Sequence, residues 1–184
     1  AGKMRRFRIR VNPGDRIIFK GGDSWDSTDF PMNVRVSGSS GNPIYFGVDK
    51  AWFAGPNWSR PVFDLSGTAW TAAPVLADSV QNVVFDNLEI KGEQVDSQNL
   101  WPPNGGIAVN GGANVTIQNC YIHGWSIQNP TIGSDDNPFG GITFYNNSVG
   151  GVVKNCTFDG GPTNDSGIGI FGGTFLQGNV IENV

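Results

Sequence analysis

Hydrophobic and polar positions in this chain alternate in short runs, and the alternation slips by one residue at a recurring asparagine. Val83 and Phe85 precede Asn87, and Leu88 and Ile90 follow it. Val115 and Ile117 stand in the same way before Asn119, with Cys120 and Ile122 after it. VVKNCTFDG repeats the pattern around Asn155, and the chain closes on VIENV with Asn183. The four asparagines are 32, 36 and 28 residues apart. A period of two belongs to a strand with one buried face. A motif that returns at intervals of roughly 20–50 residues belongs to a repeat architecture.

A further strand, opened by small residues, precedes each of these units: GGIAV (Gly105 to Val109), GGITF (Gly140 to Phe144) and SGIGI (Ser166 to Ile170). Each unit therefore reads strand, short turn, strand, two-residue corner, strand, longer loop. Three strands per lap in constant order predict an all-β solenoid of three parallel sheets, with about six laps from the repeat spacing. The whole of 1–184 reads as a single domain. Its last residues stop at an asparagine corner without a closing strand or cap, which suggests a fragment or N-terminal part of a longer solenoid.

Equivalent residues of adjacent laps lie roughly 4.8 Å apart. Asn87, Asn119, Asn155 and Asn183 are thus predicted to stack as a ladder, each amide bonding the next in a buried corner. On that reading the Asn155-Cys156-Thr157 sequon carries no glycan. Cys120 and Cys156 share one inward position a lap apart. Stacked free thiols fit that position, and strand spacing also permits a disulfide.

Composition narrows the class. Glycine at 27 residues and charged residues at 15% suit a turn-rich β fold rather than a disordered chain. No apolar run approaches the ~18–20 residues of a membrane span, so no membrane partner is expected. Basic residues crowd the start: Lys3, Arg5, Arg6, Arg8, Arg10, Arg16 and Lys20 face a single acid, Asp15. This stripe fits a charged edge that discourages strand addition. A net charge of −4 argues against a nucleic-acid partner.

VNPGDRIIFKGGDSW (11–25), SGSSGNPIYFG (37–47) and RPVFDLSG (60–67), together with the repeats, resemble bacterial right-handed parallel β-helix proteins of the pectin-lyase-like superfamily. The resemblance covers the whole chain as a fold signature. It implies a secreted or cell-surface protein acting on polysaccharide, in most members a lyase or glycoside hydrolase, in others a non-catalytic adhesion or assembly module. It also implies a substrate groove on the outer face of the first sheet, here the GGIAV, GGITF and SGIGI set. The outward positions of those three strands include Ala108, Asn110, Thr143 and Tyr145 and carry no charge.

Chemistry is therefore sought in the loops beside that groove. A hydrolase needs two carboxylates and a lyase a base, often with calcium held by acids. Asp135, Asp136 and Asp165 are the candidate catalytic groups, with Glu93 and Asp96 at the groove edge; the alternative is that such loop acids form turns. TNDSGIGI is similar to the Asn-x-Asp-Gly-Ile strip of polygalacturonases but departs from it at Ser166. The later Gly-His-Gly and Arg-x-Lys strips have no match, so that mechanism is not carried over.

Trp101, Trp125, Tyr145 and Asn110 are the candidate sugar contacts, because exposed rings stack on sugar faces. Trp52 and Trp58 are expected to pack under the WFAGPNWSRP loop. A second candidate cluster, Lys91, His123 and Asp159, occupies one outward position on consecutive laps after the ladder, where solvated cross-strand charges are the alternative. No cofactor motif is evident; calcium is the one ion that the resemblance admits, and no zinc spacing is present. A carbohydrate-directed module is expected, with a scaffold that self-associates end to end as the rival.

Overall fold

The computed structural model describes residues 10–95, 104–127, 139–160, 168–172 and 180–182. Asn183, Trp101, Asp96, Asp135, Asp136, Asp165 and the arginines before Arg10 lie outside these residues. Strands dominate, and the described helical elements are two 3-10 turns of three residues each, Ser27–Asp29 and Lys50–Trp52. Among the described residues no helix is long and apolar enough to cross a membrane.

The strands fall into parallel sheets that the chain visits in a constant order. The first sheet runs Met32–Val34, Val75–Asp78, Asn104–Asn110, Phe139–Tyr145, Ile168–Gly172. The second contains Arg16–Ile18, Ile44–Gly47, Gln81–Asp86, Ala113–Gln118, Val152–Lys154 and Val180–Glu182. In the third are Ser24–Asp26, Val62–Asp64, Glu89–Lys91, Tyr121–His123 and Thr157–Asp159. A short fourth sheet, Ala69–Trp70, Gln94–Val95 and Ser126–Ile127, follows the third and adds a side that the sequence pattern does not predict. Two-residue strands are too short to register as alternation. The arrangement is a parallel β-solenoid.

Register turns alternation into columns. Ile44, Val83 and Val115 are paired across the second sheet, as are Phe46, Phe85, Ile117 and Val153. Phe63, Ile90 and Ile122 form the third-sheet column, and Val75, Ile107 and Ile142 that of the first. Every one of these side chains is at most 6% exposed, so like residues stack into one continuous core. Each contributes on the order of 1.5–3 kcal/mol by burial. Phe46 and Phe85 stack at 5.4 Å between ring centres, while Phe63 gathers Phe19, Trp25 and Phe30 within 5.9 Å.

Corners follow from backbone chirality. Asn87, Asn119 and Asn155 have φ of 58°, 56° and 54°, a region costly to most L-residues and visited by Asn. Gly92 and Gly124 take the next corner at φ 70° and 66°. There a Cβ on Gly92 would strike the Ser66 side chain. The asparagine corner projects outward: Asn87 and Asn119 are half-buried and Asn155 is exposed, against the expectation of a buried corner.

Candidate functional site

Alternation in Val75–Asp78 sends Val75 and Ala77 inward and Leu76 and Asp78 outward. Pairing aligns Asp78 with Asn110 and Asn110 with Tyr145 on the outer face of the first sheet. Asp78 thus places a carboxylate on the face that the later strands leave uncharged. The sequence signal for it was the PVLAD alternation, hidden because this lap lacks the paired glycines that open the next two.

Asp78 is held from several sides. Asn110 Nδ2 donates to its Oδ1 at 2.8 Å, Ser79 Oγ to the same atom at 3.4 Å, and Arg35 Nε lies 3.4 Å from Oδ2. Asn146 Nδ2 in turn donates to Asn110 Oδ1 at 2.8 Å. The Asp78 side chain keeps 23% of its surface in solvent and that of Arg35 70%. The Arg35, Asp78, Asn110 and Asn146 row is therefore a solvent-facing polar strip at the strand ends. Chemically, such a strip offers an oriented anion, amide donors and a guanidinium.

Asn33 on the same outward row is exposed, whereas the middle strands of this face are covered. Ala108 and Thr143 are fully buried and Tyr145 is 4% exposed, with Ala73 and Leu76 packed on the Ala108–Tyr145 pair. Burial, then the Asp78 charge, pushes the Tyr145 phenol up. Tyr145 is outward, as the alternation requires, but its ring is packed under neighbours rather than open to a ligand. Asn110 carries its amide into the strip as a strut between Asp78 and Asn146.

Trp125 departs furthest from its expected place. Gly124 restarts the alternation, so Trp125 points inward at 4% exposure among core residues, and Trp70 does likewise with Nε1 bonded to Leu65 O at 3.0 Å. Glu93 follows Gly92 in the same way and is 2% exposed. Among the described residues neither of its carboxyl oxygens has a hydrogen-bond partner, and burial pushes its pKa up to about 8. Trp52, expected under its loop, is 55% exposed, whereas Trp58 is flanked by Lys50 at 4.5 Å and Arg60 at 6.0 Å.

On the third sheet, register does align Lys91, His123 and Asp159. Their side chains nevertheless bond elsewhere. Lys91 Nζ pairs with Asp64 Oδ2 at 3.0 Å, His123 Nε2 lies 3.1 Å from Glu89 Oε1, and Tyr121 Oη donates to Asp159 Oδ2 at 3.4 Å. The Tyr121 and His123 rings stack at 4.2 Å. For Asp64, burial raises the carboxyl but the bonds from Ser66 and Lys91 outweigh it and hold it low. Lys91–Asp64 is a directly opposed cross-strand pair, and His123–Glu89 and Tyr121–Asp159 are diagonal ones, so the surface carries separate pairs rather than a Lys-His-Asp relay. Among the described residues no three His, Cys, Asp or Glu side chains converge on a metal position.

The asparagine corner is a network with an acid at its centre. Asp86 Oδ1 accepts from Asn87 Nδ2 at 2.9 Å and Asn119 Nδ2 at 2.7 Å, and Oδ2 from Tyr45 Oη at 2.7 Å. Asn155 Nδ2 donates to Asn119 Oδ1 at 3.4 Å, a direct rung. Burial and then Asp86 push the Tyr45 phenol up to about 12. This corner is used for structure.

No family model matches the chain, and no curated protein matches it. Among solved structures, the native lacto-N-biosidase of family GH136 from Eubacterium ramulus is similar, with a TM-score of 0.58 and 21% identity over 83% of this chain and 29% of that one. Its selenomethionine form matches at 0.56 and 19%, with the same coverage. A rhamnogalacturonan lyase covers 94% of this chain and 56% of its own at 16% identity and a TM-score of 0.41. The chain spans under a third of the biosidase it matches, and the likeness at such identity is one of fold.

Proposed function

We propose that this chain is a carbohydrate-directed segment of a right-handed parallel β-helix, part of a secreted or cell-surface polysaccharide lyase or glycoside hydrolase. The observation that carries the reading is the Arg35, Asp78, Asn110 and Asn146 strip on the outer face of the first sheet, which can accept from and donate to sugar hydroxyls. The solenoid similarity to a glycoside hydrolase supports it. In this reading Asp78 is the central polar group, and Asp135, Asp136 and Asp165 with Trp101 reach the same groove from the loops that precede the first-sheet strands. Tyr145 and Asn110 position Asp78 rather than stack on sugar.

A panel of neutral and acidic glycans tests this, reading binding by calorimetry and cleavage by released ends. Asp78→Asn is expected to weaken binding or turnover tenfold or more, corresponding to about 1.4 kcal/mol, with the fold unchanged by near-UV circular dichroism. Equal behaviour of the variant and the parent on every responsive glycan would remove Asp78 from the site. A flat response of the parent across the panel would remove the reading itself.

Asp78 already receives Asn110, Ser79 and Arg35, and this favours a second reading in which the segment binds glycan without turnover, as an adhesion or assembly module. Retention on a glycan array with no released ends, and concentration-dependent growth in light scattering, would select that reading.

A further inference from the structure

The chain's two cysteines are unused by the proposed site, and they are adjacent. Tyr121 pairs with Thr157 in the third sheet, and Thr157 N donates to Cys120 O at 2.9 Å. Cys120 and Cys156 therefore stand side by side at the inward end of the asparagine corner, 1% and 3% exposed. Leu88 holds the equivalent position one repeat earlier and is fully buried. Parallel neighbours lie roughly 4.8 Å apart, inside the ~4.4–6.8 Å window over which Cα atoms are bridged.

The two sulfurs are not equivalent. Cys120 Sγ lies 3.2 Å from Gln118 O, while Cys156 Sγ lies 3.4 Å from Lys154 O and 3.7 Å from Ile117 O. The closeness of the two thiols pulls Cys156 below the usual thiol range and pushes Cys120 above it. Cys156 is thus the better thiolate and Cys120 the proton-bearing partner, an asymmetry suited to stepwise thiol–disulfide exchange.

We propose that Cys120 and Cys156 are a latent cross-repeat disulfide that closes when the chain meets a small-molecule disulfide. The Cys156 thiolate attacks one sulfur of the reagent and expels the other as a thiolate. Cys120 then loses its proton, and its sulfur displaces the remaining half of the reagent from Cys156. Two S–H bonds are lost and one S–S bond is formed, while the reagent's S–S bond is reduced to two thiols. Burial of both sulfurs makes the exchange slow in the folded chain and fast during folding, before the neighbouring repeats cover them. The bond would enclose a full 36-residue repeat and restrain the unfolded chain.

The test is to refold the wild-type chain with glutathione disulfide and, in parallel, with a reductant. Iodoacetamide then caps free thiols, and peptide mass spectrometry locates any link. The expected product is a monomer with no alkylated cysteine, a Cys120–Cys156 linked peptide and a thermal midpoint raised by roughly 5–10 °C over the reduced sample. Complete alkylation of both cysteines after oxidative refolding overturns the proposal. So does a glutathione adduct that persists on either one, or a dimer linked between chains. Prolonged incubation of the already folded chain with the same reagent supplies a second readout, in which the same link forms far more slowly. A folded chain linked as fast as the refolding one would overturn the proposed order of events.

Discussion

Glu93 is the residue whose surroundings and chemistry disagree most. Its carboxyl is buried with no hydrogen-bond partner for either oxygen among the described residues, and Trp125, at the equivalent position one repeat on, has an indole N–H in the same condition. Burial of a charge without a partner is costly, so the acid stays protonated and its pKa rises to about 8. In the unfolded chain a glutamate titrates near 4.3. Between those two values the folded state holds more protons than the unfolded state, so stability falls as pH rises through the window. It is highest below the unfolded value and levels off above the folded one. The slope from one such group is at most about 1.4 kcal/mol per pH unit, and a few kcal/mol is the scale of the whole effect. Glu93→Gln keeps the shape and removes the titration. Urea midpoints measured from pH 5 to 8 should fall in the wild type and stay nearer to level in the variant, and parallel profiles would mean that Glu93 is ionised throughout. Sequence placed this acid at the groove edge because it lies in the 92–104 loop that precedes the GGIAV strand. The positive φ of Gly92 restarts the alternation and turns Glu93 inward, and Gly124 does the same to Trp125.

At the scale of elements, the corners were the most legible part of the sequence, and the reason is steric. A left-handed turn between two short strands admits few residue types, so Asn87, Asn119 and Asn155 had to be spelled out at each repeat. Strands without such a constraint were harder to see. Val75–Asp78 carries the outward carboxylate of the proposed site, yet it lacks the glycine pair that flagged the next two strands of its sheet, and the two-residue strands of the fourth sheet left no periodicity at all. Asn119 combines both duties of a corner: it holds φ of 56°, donates to Asp86 and accepts from Asn155. Asn119→Ala loses the backbone preference and both bonds, at about 1–2 kcal/mol for the former and about 1 kcal/mol per bond. Asn119→Gly restores the backbone freedom but not the amide. Chemical denaturation should therefore rank wild type above Asn119→Gly and Asn119→Ala lowest. Equal losses in the two variants would mean that the hydrogen bonds alone hold the corner.

For the whole molecule, stacking like on like makes stability a matter of nearest neighbours. Each described strand of the second sheet bonds only to the strands one repeat before and after, and the core columns follow the same rule. Such a solenoid is expected to behave as a chain of coupled units, in which damage is felt at its own level and spreads by contact. Phe85 tests this, because it is fully buried and stacks on Phe46 of the preceding repeat. Removing the ring in Phe85→Ala should cost about 3–5 kcal/mol. Native-state hydrogen exchange should then quicken most in Gln81–Asp86, next in the flanking strands Ile44–Gly47 and Ala113–Gln118, and least in Val152–Lys154, two repeats away. A uniform rise across all four strands would show that the stack opens as one cooperative body. Graded protection would mean that the Asp78 strip, one strand removed from Phe85 along the chain, can be perturbed through its own repeat while the distant repeats stay closed.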